Sequence, residues 1–393
     1  HQWFGNLVTE KSSKHHWLHE GFATYCALLA EKEIFGDDYF YFKLYQNAKE
    51  LYDRSNKGNG EKVIRSGASS LTYYQAGAWA LHALHDQLTD ERFDDIISTY
   101  LERNKFSNVT TSDFLKVVAE KTDIDTLSYK NDWLEQTAFQ GEKALNILKK
   151  NKSIKNLMEL ESLRKASFPE KRAQLEKALQ PPIDQFLGQE AVYQLPSPRS
   201  DDILRLYLSA FSADKKIVRQ AISERLREVP TSLQKNFETL LDDRSYLTQK
   251  NALLHLWLSF PDKRKAYLDK MKDVMGFKDL NIRTLWLALA VATNTYRPED
   301  SYAHFQELVS YTAAERRYQT RRNAFQYLSQ IDSFNKKALK HLIKACGHHN
   351  WRFRKFCRNL FRKLMENKQY EKMLSELELN EKDKGFVDKW GKG

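Results

Sequence analysis

Cysteine is nearly missing from this 393-residue chain, which holds only Cys26, Cys346 and Cys357. The number is odd and no C-x-x-C spacing occurs, so the pattern argues against a disulfide scaffold or a thiolate zinc site. Buried free thiols are the expected state. Proline, with 8 residues, and glycine, with 14, are also scarce, which disfavours a turn-rich β fold and favours helices. No apolar run approaches the roughly eighteen residues that a membrane-spanning helix needs. Nothing in the sequence indicates a compartment or an oligomeric state.

Apolar residues make up 41% of the chain, enough for packed cores and too many for a disordered protein. The length suits two or three domains. The formal net charge of +11 is concentrated in one region. Residues 315–372 carry sixteen Lys/Arg against four acids, so the rest of the chain is close to neutral. Basic residues interleaved with aromatics, as in Arg352 to Lys363, can serve nucleic acid. The simpler reading is an amphipathic helix with a solvated basic face, and no nucleic-acid partner is expected.

The densest pattern is the first twenty-five residues, HQWFGNLVTEKSSKHHWLHEGFATY. His1 begins the string His1-Gln2-Trp3-Phe4-Gly5-Asn6, and Glu20 sits inside Trp17-Leu18-His19-Glu20-Gly21-Phe22-Ala23. Imidazole and carboxylate are ligand types of a catalytic zinc site with two histidines and a glutamate. Alone, the two residues would be unremarkable surface groups; the flanking strings carry the signal. His15 and His16 also stand near Glu20, but their lysine-rich surroundings predict an exposed connection rather than ligands. His348 and His349 lie in a predicted turn beside Gly347 and are not expected to bind metal.

These strings resemble the gluzincin zinc aminopeptidases, the family of alanyl aminopeptidases and leukotriene A4 hydrolase. In that family H-E-x-x-H runs into Q-W-F-G-N, and eighteen residues separate its second histidine from the glutamate of W-L-N-E-G-F-A. Here residues 2–19 form the spacer, and His19 replaces the asparagine, a non-ligand position. The resemblance implies that His1 and Glu20 are zinc ligands. It places the other histidine, the general-base glutamate and the G-x-M-E-N string that reads a substrate amine before residue 1. The chain is then expected to be a fragment beginning inside its metal motif, inactive by itself. The family's Y-x-K-G-A tyrosine, an oxyanion donor, corresponds to Tyr74, with Ala76 in place of the lysine. Zinc and peptide substrates are implied by the same resemblance.

The rest reads as helix. Residues 1–8 are predicted to be the tail of a helix, with further helices from Trp17 to Ile34, Tyr39 to Arg54 and Tyr73 to Leu88. Asp90-Glu91 and Thr111-Ser112-Asp113 mark two helix starts. Beyond residue 200 the chain repeats. Tyr246-Leu-Thr-Gln-Lys-Asn251-Ala252 recurs as Tyr318-Gln-Thr-Arg-Arg-Asn323-Ala324, 72 residues later. Related helical stripes start at Ile282 and Trp351, and an earlier one at Val218. A period in the thirties with two helices per unit signals a helix-pair solenoid.

The expected fold is therefore all-α: residues 1–140 as the helical part of a thermolysin-like metallopeptidase domain, 141–200 as a connection, and 201–393 as a HEAT/armadillo-like solenoid. The expected function is zinc-dependent aminopeptidase, with a non-catalytic helical-repeat interaction protein as the rival. Nothing in the sequence favours added epoxide hydrolysis.

Overall fold

Helices dominate the computed structural model, which describes residues 1–390. The chain divides into two units, His1–Lys165 and Ala166–Gly393.

The first unit is built on α1 (Trp17–Phe35), which packs against α2 (Asp37–Asn56) and α3 (Gly77–His85). Gly36, at φ +85°, ends α1 and allows the chain to reverse into α2. A π-helical turn, Leu71–Ala76, runs directly into α3. Then follow α4 (Asp90–Asn104), α5 (Thr111–Lys121), α6 (Thr126–Trp133), α7 (Gly141–Leu148) and α8 (Lys152–Ser162). Side chains set the helix starts. Thr89 caps α4, and Thr110 with Asp113 forms a reciprocal capping box on α5, one residue earlier than the expected cap. Two short strands, β1 (Val8–Glu10) and β2 (Ser107–Val109), pair in parallel.

The predicted helix at residues 1–8 does not form. Asn6, Leu7 and Val8 donate their amides five residues back, to His1, Gln2 and Trp3. Gly5 sits at φ +141° and Phe4 bridges to Val8. The left-handed glycine breaks α-helical geometry, and the segment becomes a tight turn entering β1. Its anchor is Phe4, buried and stacked on Phe22 of α1 at 4.3 Å between ring centroids. Trp17, Phe22, Tyr100 and Phe114 complete a fully buried aromatic core beneath it.

The second unit holds α9 (Phe168–Ala178), α10 (Gln185–Gln194), α11 (Asp201–Phe211), α12 (Lys216–Arg225), α13 (Gln234–Glu238), α14 (Tyr246–Ser259), α15 (Arg264–Met271), α16 (Asn281–Val291), α17 (Ser301–Ser310), α18 (Tyr318–Gln330), α19 (Lys336–Ala345), α20 (Trp351–Met365), α21 (Lys368–Ser375) and α22 (Glu381–Trp390). Alternate helices stack in series: α10 on α12, α12 on α14, α14 on α16, α16 on α18 and α18 on α20. The odd-numbered helices pack between them as the second layer. The repeated sequence positions fall on this ladder, because Tyr246, Tyr318 and Trp351 each start one of its helices. The stretch 141–200, read as a connection, is itself helical: α7 and α8 pack on α2 in the first unit, while α9 and α10 lie in the second. All three cysteines are free, with Cys346 and Cys357 buried. No helix among the described residues is long and apolar enough to cross a membrane.

Candidate active site

Glu20 lies in the first turn of α1, and its side chain is buried although it carries a carboxylate. A buried charge needs partners. Glu20 meets His1, whose Nε2 lies 3.2 Å from Oε2, and His16, whose Nε2 lies 3.3 Å from Oε1. Tyr74 is the third neighbour. Hydrogen bonding to Glu20, then partial burial and the carboxylate's charge, push the Tyr74 phenol pKa up. Of the three residues singled out from sequence, His1 and Tyr74 thus converge on the carboxylate of Glu20.

Local structure explains the convergence. The Phe4–Phe22 stack pins the opening turn to α1 and brings His1 over the helix start. Gly21, next to Glu20, packs backbone to backbone on Gly77, three residues after Tyr74. A Cβ on Gly21 would lie 2.9 Å from the Gly77 carbonyl carbon. The two glycines let α1 and α3 touch, and that contact sets the Glu20–Tyr74 spacing. Tyr74 also rides on the π-helical turn. An extra residue in a helical turn shifts the side chains that follow, and such turns are frequent at functional sites. The preceding loop is held by Glu61, which accepts from the Ser69 amide and hydroxyl, the Thr72 hydroxyl and Arg54. Desolvation alone would raise the Glu61 pKa, but these donors outweigh it and hold the carboxyl at about 2. Tyr73, beside Tyr74, donates to the carbonyls of Ser13 and Arg65.

The donor set suits a cation. His1 places Nδ1 3.1 Å from the Phe4 carbonyl, which leaves Nε2 as the lone-pair nitrogen facing Glu20 when the ring is neutral. Glu20 Oε2 is buried and has no hydrogen-bond partner. Two acceptors, one of them orphaned, face each other over a gap that a positive ion would satisfy. The anchored Nδ1 is the outer-shell arrangement typical of metal-binding histidine.

A second group, Glu10, His16 and His19, also brings potential ligand atoms within 4.8 Å of one another. His19 is a poor ligand, because its Nε2 accepts the Glu10 amide at 2.8 Å. In a neutral ring Nδ1 then carries the proton, 3.3 Å from Glu10 Oε2.

His15 and His16 are not the exposed connection expected from their lysine-rich neighbours. Both are half-buried: His15 Nδ1 accepts the Thr111 amide at the start of α5, and His16 reaches Glu10 and Glu20. The partners that draw them inward come from β1, α1 and α5, which sequence neighbours do not reveal. In the second unit, His348 Nδ1 accepts the Asn350 amide and its ring packs on Phe353.

Residues 1–133 match the sequence profile described as the Peptidase family M1 domain. This stretch is similar to that family. The M1 domain is similar to Aminopeptidase M1-B of Oryza sativa subsp. japonica, 27% identical over 155 residues, covering 35% of this chain and 17% of the rice protein. Glutamyl aminopeptidase of Sus scrofa is 30% identical over 151 residues, covering 35% of this chain and 16% of that protein. This chain therefore spans about a sixth of the length of these curated relatives. Native yeast LTA4 hydrolase aligns over 91% of this chain and 52% of its own, at 15% identity and a TM-score of 0.44. The M1 match ends at Trp133, the last residue of α6, so every residue around Glu20 lies within it.

Proposed function

We propose that the protein carrying this M1 domain is a zinc-dependent aminopeptidase that removes N-terminal residues from peptides. The observation behind the reading is the meeting of His1, Glu20 and Tyr74, with Glu20 Oε2 buried and short of a partner. His1 and Glu20 would hold the ion. Zinc bound there supplies Lewis-acid activation of water and of the scissile carbonyl.

The chain's own residues supply orientation and charge stabilisation. The phenol of Tyr74 is a donor at neutral pH, as tyrosine ordinarily is, and the Glu20 carboxylate pushes its pKa further up. Its partial exposure lets it reach a bound carbonyl. A fixed donor to the developing oxyanion stabilises the transition state more than the ground state. Relay of the proton falls to a glutamate that the family pattern places before His1. The free amine of the substrate would be read by residues that the pattern also places there. The helix pairs of the second unit suit a HEAT/armadillo-like reading, with residues 201–393 as a repeat domain.

The test is to measure bound metal and zinc-dependent release of N-terminal residues in the purified intact protein, alongside Glu20→Ala. Both should be present in the native protein and lost in the variant. A native protein that is metal-free after reconstitution with zinc, or a Glu20→Ala form that keeps its metal, overturns the reading.

A further inference from the structure

His16 stands between two carboxylates. Its Nδ1 lies 2.7 Å from Glu10 Oε2 and its Nε2 lies 3.3 Å from Glu20 Oε1. The ring also packs edge-on against Tyr73 at 4.9 Å, beside Tyr74. Glu10 closes β1 and is itself bound to α1, since its amide donates to His19 Nε2 at 2.8 Å. A chain of contacts thus runs from the strand through His16 to one oxygen of Glu20, while the other oxygen faces His1.

We infer that His16 is a positioning residue for the zinc site: braced by Glu10, it engages Oε1 of Glu20 and turns Oε2 toward His1 and the metal. The inference rests on the proposed zinc reading and adds to it a device outside the ligand strings. A free carboxylate at a helix start can rotate about its χ angles and present either oxygen. With one oxygen occupied by a braced imidazole, a single orientation remains, and the ordering cost is met before the metal arrives. Ligating carboxylates generally need such outer partners, and losing one typically weakens metal affinity about 10–100-fold. Zinc is not shared with His16 in this arrangement, because the ring nitrogens are already directed at two carboxylate oxygens.

The experiment is a chelator-competition measurement of Zn2+ affinity, with Co2+ absorption spectra, on the purified intact protein. It compares the native chain with His16→Ala, His16→Gln, Glu10→Gln and Glu20→Ala, with circular dichroism to check folding. His16→Ala is expected to weaken Zn2+ binding about 10–100-fold while keeping the cobalt spectrum in shape. Glu10→Gln should show a similar loss. The double variant Glu10→Gln/His16→Ala should be no weaker than His16→Ala, because the two act through one contact chain. His16→Gln, which retains a donor, should recover part of the affinity. Unchanged affinity in His16→Ala overturns the inference, as do independent, additive losses. Complete loss in His16→Ala with a changed cobalt spectrum in His16→Gln overturns it too, since His16 would then be a ligand itself. An intact native protein that binds neither ion, or a Glu20→Ala form that binds both normally, instead strikes the zinc reading.

Discussion

A Cβ placed on Gly21 would lie 2.9 Å from the carbonyl carbon of Gly77 and 3.0 Å from its Cα. Carbon pairs prefer about 3.5–4.0 Å, so alanine at this position forces α1 and α3 apart by roughly 0.6–1 Å. The obstructing atoms are backbone, so no side chain can swing aside. Overpacking of this kind costs about 1–3 kcal/mol. Alanine returns about 1 kcal/mol through its higher helix propensity. With a backbone obstruction the upper part of the range applies, and the net loss is about 1–2 kcal/mol. For a unit of this size that lowers the melting temperature by about 2–8 °C. The same displacement separates Glu20 from Tyr74, and misplacement by about 1 Å can slow an enzyme on the order of 100-fold. Differential scanning calorimetry of Gly21→Ala measures the first effect. Gly385→Ala is the control, because a Cβ at that helical glycine meets nothing within 4 Å. A Gly21→Ala protein that melts at or above the native temperature would refute the close-contact account.

If the proposed activity holds, Tyr74→Phe in the intact protein should lower kcat about 100–1000-fold with zinc content unchanged, the scale of losing one oxyanion donor; unaltered turnover assigns that role elsewhere. Glu61 has a folded pKa of about 2, below its usual value near 4.5. Its stabilising contribution is therefore complete above the unfolded pKa and lost as pH falls toward about 2. Glu61→Gln should melt lower than the native chain at pH 6, and the gap should close on acidification through that window. His82 is buried between α-helices and its burial lowers its pKa to about 3. The unfolded chain takes up that proton near pH 6.5, so folding is opposed increasingly below that pH, by about 1.4 kcal/mol per pH unit at most. His82→Gln should flatten the melting temperature between pH 6.5 and 4; an unchanged slope shows that His82 is not titrating on unfolding.

The reach of the sequence differs from element to element. His1, Glu20 and Tyr74 stand out in the sequence because each sits in a string whose neighbours have structural jobs. Phe4 and Phe22 stack, and Gly21 and Gly77 meet. Those jobs are invisible in the strings themselves, which show glycine and aromatic residues but not what they touch. The π-helical turn was not legible, since it depends on how residues 61–72 are tied by Glu61 rather than on periodicity. His16 was misjudged for a related reason. Local composition reports the solvent side of Lys11 and Lys14, whereas the carboxylates that hold His16 come from β1 and α1. The opening turn departs from its helical pattern because one left-handed glycine, which weighs little among apolar residues, redirects the backbone. The repeats were the clearest feature, because a period of 36 residues is a property of the text and maps directly onto the ladder from α14 to α18.

That ladder has a mechanical corollary. Each rung from α10 to α20 packs on the neighbouring rungs and on the helices beside it in sequence, so its stability resembles a line of dominoes more than a keystone arch. Loosening should begin at a terminal rung and travel inward. Amide exchange should then be fastest around α20 and α21, slow toward α14 and α16, and graded in between.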